Sequence, residues 1–186
     1  VLQESLRAAG QKVSLLVSLC EAFVANKQKS QALVLVRELV QSLALRPIEN
    51  VEIYGRLAYF LTSLELHPES LPIYRRIVAL QPGVASHHYN LASCLRFLGL
   101  LDDAENELNQ ALVLEPLDTE AQLLRSGLRK QLSNSNHITE LTALAATPSL
   151  SYSSQVNLAF ALAKELEDLE DYAQSFQVLQ AGAELK

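Results

Sequence analysis

Pro82 and Pro116 stand 34 residues apart, and the residues around them recur with that spacing. A period of this length is that of two helices and a turn. A unit with one apolar face can bury it only against its neighbours, so the period predicts a stack of antiparallel helix hairpins. Composition agrees: Leu supplies 38 and Ala 22 of the 186 residues, against six Gly and six Pro, which favours helix throughout. With 49% apolar and 19% charged residues the chain can bury a core.

The register follows from counting. From Ala85, His88 falls at position 4, Leu91 at 7, Ala92 at 8, Leu95 at 11, Gly99 at 15, Ala104 at 20, Leu108 at 24, Ala111 at 27 and Pro116 at 32. One period earlier, Tyr54, Leu57, Ala58, Leu61, Ser70, Tyr74, Ile77 and Pro82 match. Small residues at 8 and 20 let two helices approach closely, and large apolar residues at 7, 11 and 24 fill the space beside them. Proline at 32 ends the second helix, because the residue before it is pushed out of the α region. Gly99 reaches turn conformations at no steric cost; the preceding unit has Glu65 there, in a turn that carries Pro68.

This pattern resembles the tetratricopeptide repeat, and implies an all-α, right-handed superhelical array of about five hairpins. The units read at 13–47, 51–84, 85–118, 119–147 and 156–186, as one repeat domain. The first is a weaker copy, with Cys20, Ala32 and Val36 at positions 8, 20 and 24, and a short separate segment at residues 2–9 is expected to precede it. In the fourth, Arg125 stands where leucine is expected and "LSNSNH" lengthens the turn, with Asn134 or Asn136 as a cap for the next helix. The absence of methionine suggests a piece of a longer protein.

The sequence is poor in chemistry. Net charge is −6 with no Lys/Arg-rich run, which argues against nucleic acid. No apolar window reaches the length of a bilayer span, so no membrane partner is expected. Cys20 and Cys94 lie far apart, which fits a reducing, cytoplasmic setting, and both read as small core residues. No two glycines are closer than 16 residues, so no phosphate loop can form, and no nucleotide or metal motif appears. His87 and His88 are adjacent and diverge on a helix, so they cannot chelate one ion; His88 reads as core and His87 as solvated. His67 and His137 stand alone, and the acidic run "KELEDLED" at 164–171 reads as a solvated helical face. No catalytic, metal or cofactor residue is expected in this chain.

What remains is a face. Gly55, Tyr59 and Thr62, and likewise Tyr89, Ser93 and Arg96, recur at i, i+4 and i+7 opposite the leucine stripes. The resemblance places these on a concave groove, so Tyr59, Tyr89, Ser93, Arg96 and Phe97 are the candidate contacts for a partner protein or peptide, with aromatic area beside a planar cation. The same residues could instead fill space between hairpins. Carboxylate-clamp repeats require cations and asparagines where this chain has Gly55, Tyr59, Asn90, Glu120 and Leu124; Asn90 alone matches, so that binding mode is not expected.

The stretch 136–185 resembles the junction of bacterial repeat-containing sulfotransferases, just before their catalytic domain. The resemblance implies a non-catalytic N-terminal part of such an enzyme. The donor 3′-phosphoadenosine 5′-phosphosulfate would bind only a domain following Lys186, which would also be a partner of the repeats. The alternative is a scaffold with no enzyme attached. Phe160, Leu166, Phe176 and Leu179 in the last hairpin have no following helix to cover them, so self-association through that hairpin, or marginal stability there, is expected.

Overall fold

The computed structural model describes residues 2–45 and 47–184, with side chains from Gly10 onward. Among these residues there are ten helices: α1 (Leu2–Ala25), α2 (Lys29–Leu45), α3 (Val51–Ser63), α4 (His67–Leu80), α5 (Ala85–Phe97), α6 (Leu101–Leu114), α7 (Thr119–Ser126), α8 (Ile138–Ala145), α9 (Tyr152–Asp168) and α10 (Tyr172–Glu184). There is no strand among them, only an isolated bridge from Leu132 to Ser135 in the long turn. The chain is all-α. No described helix is long and apolar enough to cross a membrane.

The register holds in the packing. Positions 8 and 20 are buried in each of the four well-formed units: Cys20 and Ala32, Ala58 and Ser70, Ala92 and Ala104, Ala163 and Ser175. Where the two helices pair, α1 with α2, α3 with α4 and α9 with α10, these small side chains sit where a larger one would push the helices apart. Tyr54 and His88, at position 4, are also buried. The Ile48 N–H donates to the Tyr54 hydroxyl at 3.1 Å, which ties the segment before α3 to the core. His88 Nε2 lies 2.9 Å from the Pro82 carbonyl, while His87 is half-buried and not solvated, 2.9 Å from Gln81 Oε1.

The turns inside the hairpins share one conformation. Lys27, Glu65, Gly99 and Glu170, all at position 15, have φ of 62°, 61°, 74° and 65°. At three of them the same two bonds close the preceding helix. The N–H groups of Lys27, Glu65 and Glu170 donate to Val24, Thr62 and Glu167, and those of Gln28, Leu66 and Asp171 to Phe23, Leu61 and Leu166. This is the left-handed C-terminal cap that glycine usually provides. The turn, not Pro68, replaces the missing glycine at Glu65.

Two compact units emerge, Val1–Leu98 and Gly99–Lys186. In the first, α1 pairs with α2, α3 with α4, and α5 packs on α4. Leu57, Leu61, Ile73 and Ile77 lie at the centre of its core, and Arg56 on α3 reaches Ser14, Ser18 and Glu21 on α1. The segment at 2–9 is not separate; it is the first part of α1. In the second unit the expected fourth hairpin gives way to another arrangement. Both α7 and α8 lie against α9, which pairs with α10, around Leu141, Leu158, Leu162 and Leu166. Eight-residue helices are too short to cover each other along a full ridge, so α9 is the common support.

Candidate functional site

The predicted face lies within the first unit. Tyr59 on α3 is 77% exposed, an unusual position for a large aromatic ring. On α5, Tyr89 and Ser93 are half-buried and Arg96 is exposed. Phe97, 60% exposed, has two neighbours on its ring: the Arg96 guanidinium carbon stands 4.9 Å from the ring centre, and the His67 ring stacks on it at 4.4 Å and 3°. His67 therefore does not stand alone. It is the first residue of α4, at position 17, and its ring reaches position 13 of the next unit. A cation above an aromatic ring contributes on the order of 0.5 to 1 kcal/mol at an exposed site, so the stack fixes Phe97 without hiding it.

The second unit contains a buried polar network that the sequence reading left out. Arg125, 6% exposed, occupies the leucine position of α7. Its Nη1 donates to Asn109 Oδ1 on α6 at 2.9 Å, and its Nη2 to Gln122 Oε1 at 2.7 Å and Glu140 Oε2 on α8 at 2.6 Å. Gln122 Nε2 donates to the other oxygen of Glu140 at 2.7 Å. One cation thus joins α6, α7 and α8. Burial pushes the Glu140 carboxyl up, but the bonds from Gln122 and Arg125 outweigh it and hold it below the ordinary value.

Glu165 does the same for α7, α8 and α9. It is fully buried, which corrects the reading of the acidic run as a solvated face. The Ser126 hydroxyl donates to Oε1 at 2.6 Å, where His137 Nδ1 also lies at 2.9 Å, and the His137 backbone N–H donates to Oε2 at 2.6 Å. His137 is accordingly a partner of Glu165 and not a solitary residue. Burial pushes this carboxyl up, yet the three bonds together bring it below the ordinary value. The register carried the signal: Glu165 falls at position 10, where Phe60 and Cys94 are buried. Nearby, Asp168 accepts from the Gln131 N–H at 2.7 Å and from Lys164 Nζ at 2.5 Å; Asn136 Oδ1 accepts from the Ile138 N–H at 3.3 Å, but the N-cap residue of α8 is His137, so neither Asn134 nor Asn136 occupies the cap position.

This network does not make a nucleophile. The carboxylate sits between Ser126 and His137, so the imidazole has no path to the hydroxyl, and Ser126 is itself buried. Both cysteines are buried; Cys94 contacts the Ser70 hydroxyl at 3.3 Å, and burial raises both thiols above their ordinary value. Among the described residues no three His, Cys, Asp or Glu side chains converge as metal ligands.

Charge divides along the chain. Residues 1–98 hold ten Lys/Arg and seven Asp/Glu, a net of +3, whereas 99–186 hold five and fourteen, a net of −9. In the second unit Arg125, Arg129 and Lys164 are each already held by carboxylates.

No family model matches the sequence, and neither does any curated protein. Solved structures do. A putative kinesin light chain with nearly identical TPR-like repeats from Podosopora anserina superposes with a TM-score of 0.69 at 15% identity, covering 95% of both chains. MamA from Desulfovibrio magneticus RS-1 gives 0.61 at 15%, covering 94% of both. PilF from Pseudomonas aeruginosa gives 0.58 at 15%, covering 96% of this chain and 78% of that one. The fold is that of TPR-like repeat proteins.

Proposed function

We propose that the chain is a non-catalytic protein-interaction module, and that the face formed by Tyr59, Tyr89, Ser93, Arg96 and Phe97 receives a segment of a partner protein. The observation that carries this reading is the Phe97 ring, left largely open to solvent while in contact with Arg96 and His67. A core residue would be covered, and a residue of no consequence would not be held by two neighbours. An exposed aromatic fixed beside a planar cation costs little entropy on binding, which is what a binding hot spot requires. The excess of positive charge in this unit favours a segment that places an apolar side chain on the ring and a carboxylate on Arg96.

The resemblance of residues 136–185 to repeat-containing sulfotransferases extends the reading. In such a parent the repeats would present an acceptor protein to the catalytic part, and the phosphosulfate donor would bind that part alone. The test is capture of interacting proteins by the wild-type chain and by Tyr59→Ala/Tyr89→Ala/Arg96→Ala, with helical content followed by circular dichroism. Loss of capture at unchanged helicity supports the reading. Recovery of the same partners by the variant rejects it, and loss of helicity assigns these residues to packing between helices.

A further inference from the structure

The units that begin at residues 13 and 51 stand 38 residues apart, four more than the 34 from 51 to 85. The added length falls in the segment between α2 and α3, which the Ile48 bond to the Tyr54 hydroxyl ties to the core. Between that segment, α2 and α4 lies a cavity of about 260 Å³, walled by Val40 and Leu43 of α2, by Pro47, and by Pro72 and Ile73 of α4. It lies wholly within the first unit.

Tyr54 and Arg76 complete the wall. The register makes Arg76 an exception. Position 26 is exposed in the other units, as Glu38, Gln110 and Ala181, but Arg76 is half-buried, and its Nε–H is shut off from water with no acceptor. A guanidinium stays charged, and a buried donor left without a partner weakens the fold. Among the described residues none forms a hydrogen bond or ion pair with Arg76. Glu69 on α4 is held by Arg37. Glu49, the one acid in the segment 46–50, is exposed, and in sequence its charge is offset by Arg46, which lies outside the described residues. What the cavity lacks is a carboxylate, the group that a planar guanidinium binds best.

The walls decide what carries it. They are apolar, and the Tyr54 hydroxyl already accepts from Ile48, so a bare anion would give up its water without return and a peptide would leave its amides unpaired. At roughly 30 Å³ for each water-sized group, the space holds about eight non-hydrogen atoms. We propose that this cavity is a binding site for a free short-chain carboxylate of about six carbons, with its carboxylate on the Arg76 guanidinium and its alkyl chain between α2 and α4. The site shares no residue with the Tyr59 and Phe97 face and does not depend on that reading.

The test titrates hexanoate into the whole chain, followed by NMR, with hexanol and acetate as probes that lack the charge and the alkyl chain respectively. Hexanoate should bind saturably, and each of the other two at least tenfold more weakly. Arg76→Gln should weaken hexanoate at least tenfold, and Tyr59→Ala should leave it unchanged. Ala44→Phe, which places a ring in the cavity from an exposed position in its wall, provides the same readout should Arg76→Gln lose helicity. Absence of saturable binding, equal binding of hexanol, or undiminished binding by a helical Arg76→Gln or Ala44→Phe variant overturns the proposal. So does tighter binding of N-acetyl-leucine than of hexanoate, since the ligand is then the end of a peptide.

Discussion

Lys27, Glu65 and Glu170 hold a backbone conformation in which a β-carbon crowds the following carbonyl, at roughly 1 kcal/mol each relative to glycine. Replacing Glu65 or Glu170 with Gly should therefore raise stability by about 0.5 to 1 kcal/mol, part of the gain being offset by the freer unfolded chain. Gly182→Ala should do the reverse. Alanine is the better helix former, but its β-carbon would meet Ala159 at 2.9 Å, where only a shift of α10 relieves the contact. Urea unfolding of the three variants checks both signs; a stabilised Gly182→Ala would show that α10 moves away from α9 without penalty.

At the scale of elements, the acidic tie of Glu165 decides how α7, α8 and α9 stay together. Its native carboxyl titrates below the ordinary value of 4.5, so its contribution is complete above that value and is lost as pH falls through the lower native one. Glu165→Gln should destabilise the second unit by roughly 3 kcal/mol at pH 7, since the amide cannot accept from Ser126, the His137 ring and the His137 N–H together. It should also flatten the loss of stability on acidification, as followed by circular dichroism from pH 7 to 3. An unchanged acid limb would assign acid sensitivity to other carboxylates.

These elements also mark the limit of what periodicity reveals. Positions 8, 20 and 24 located the helices and their seams, because small-against-large packing leaves a trace at fixed spacing. Arg125 and Glu165 obey the same spacing but carry the wrong chemistry for it. Their partners Asn109, Glu140, Ser126 and His137 are brought near by tertiary contacts, which no period encodes. The exposed face was legible as a stripe, since Tyr59 and Arg96 lie opposite the leucines. The support of Phe97 by His67 joins successive repeats within the first compact unit and was not.

Across the whole molecule the division of charge has a thermal consequence. A net of −9 in residues 99–186 means that this unit repels itself, whereas the +3 of residues 1–98 is modest. At 0.1 M salt, repulsion between charges more than about 10 Å apart is largely screened, so raising ionic strength should lift the melting of the second unit and scarcely move that of the first. Differential scanning calorimetry at 10 mM salt should then resolve two heat-absorption peaks that converge at 300 mM. A single peak at both concentrations would mean that the chain melts as one cooperative body despite its charge division. With two peaks, the acidic half melts first in dilute buffer while the half carrying Tyr59 and Phe97 stays folded, and ionic strength alone sets how far apart the two events fall.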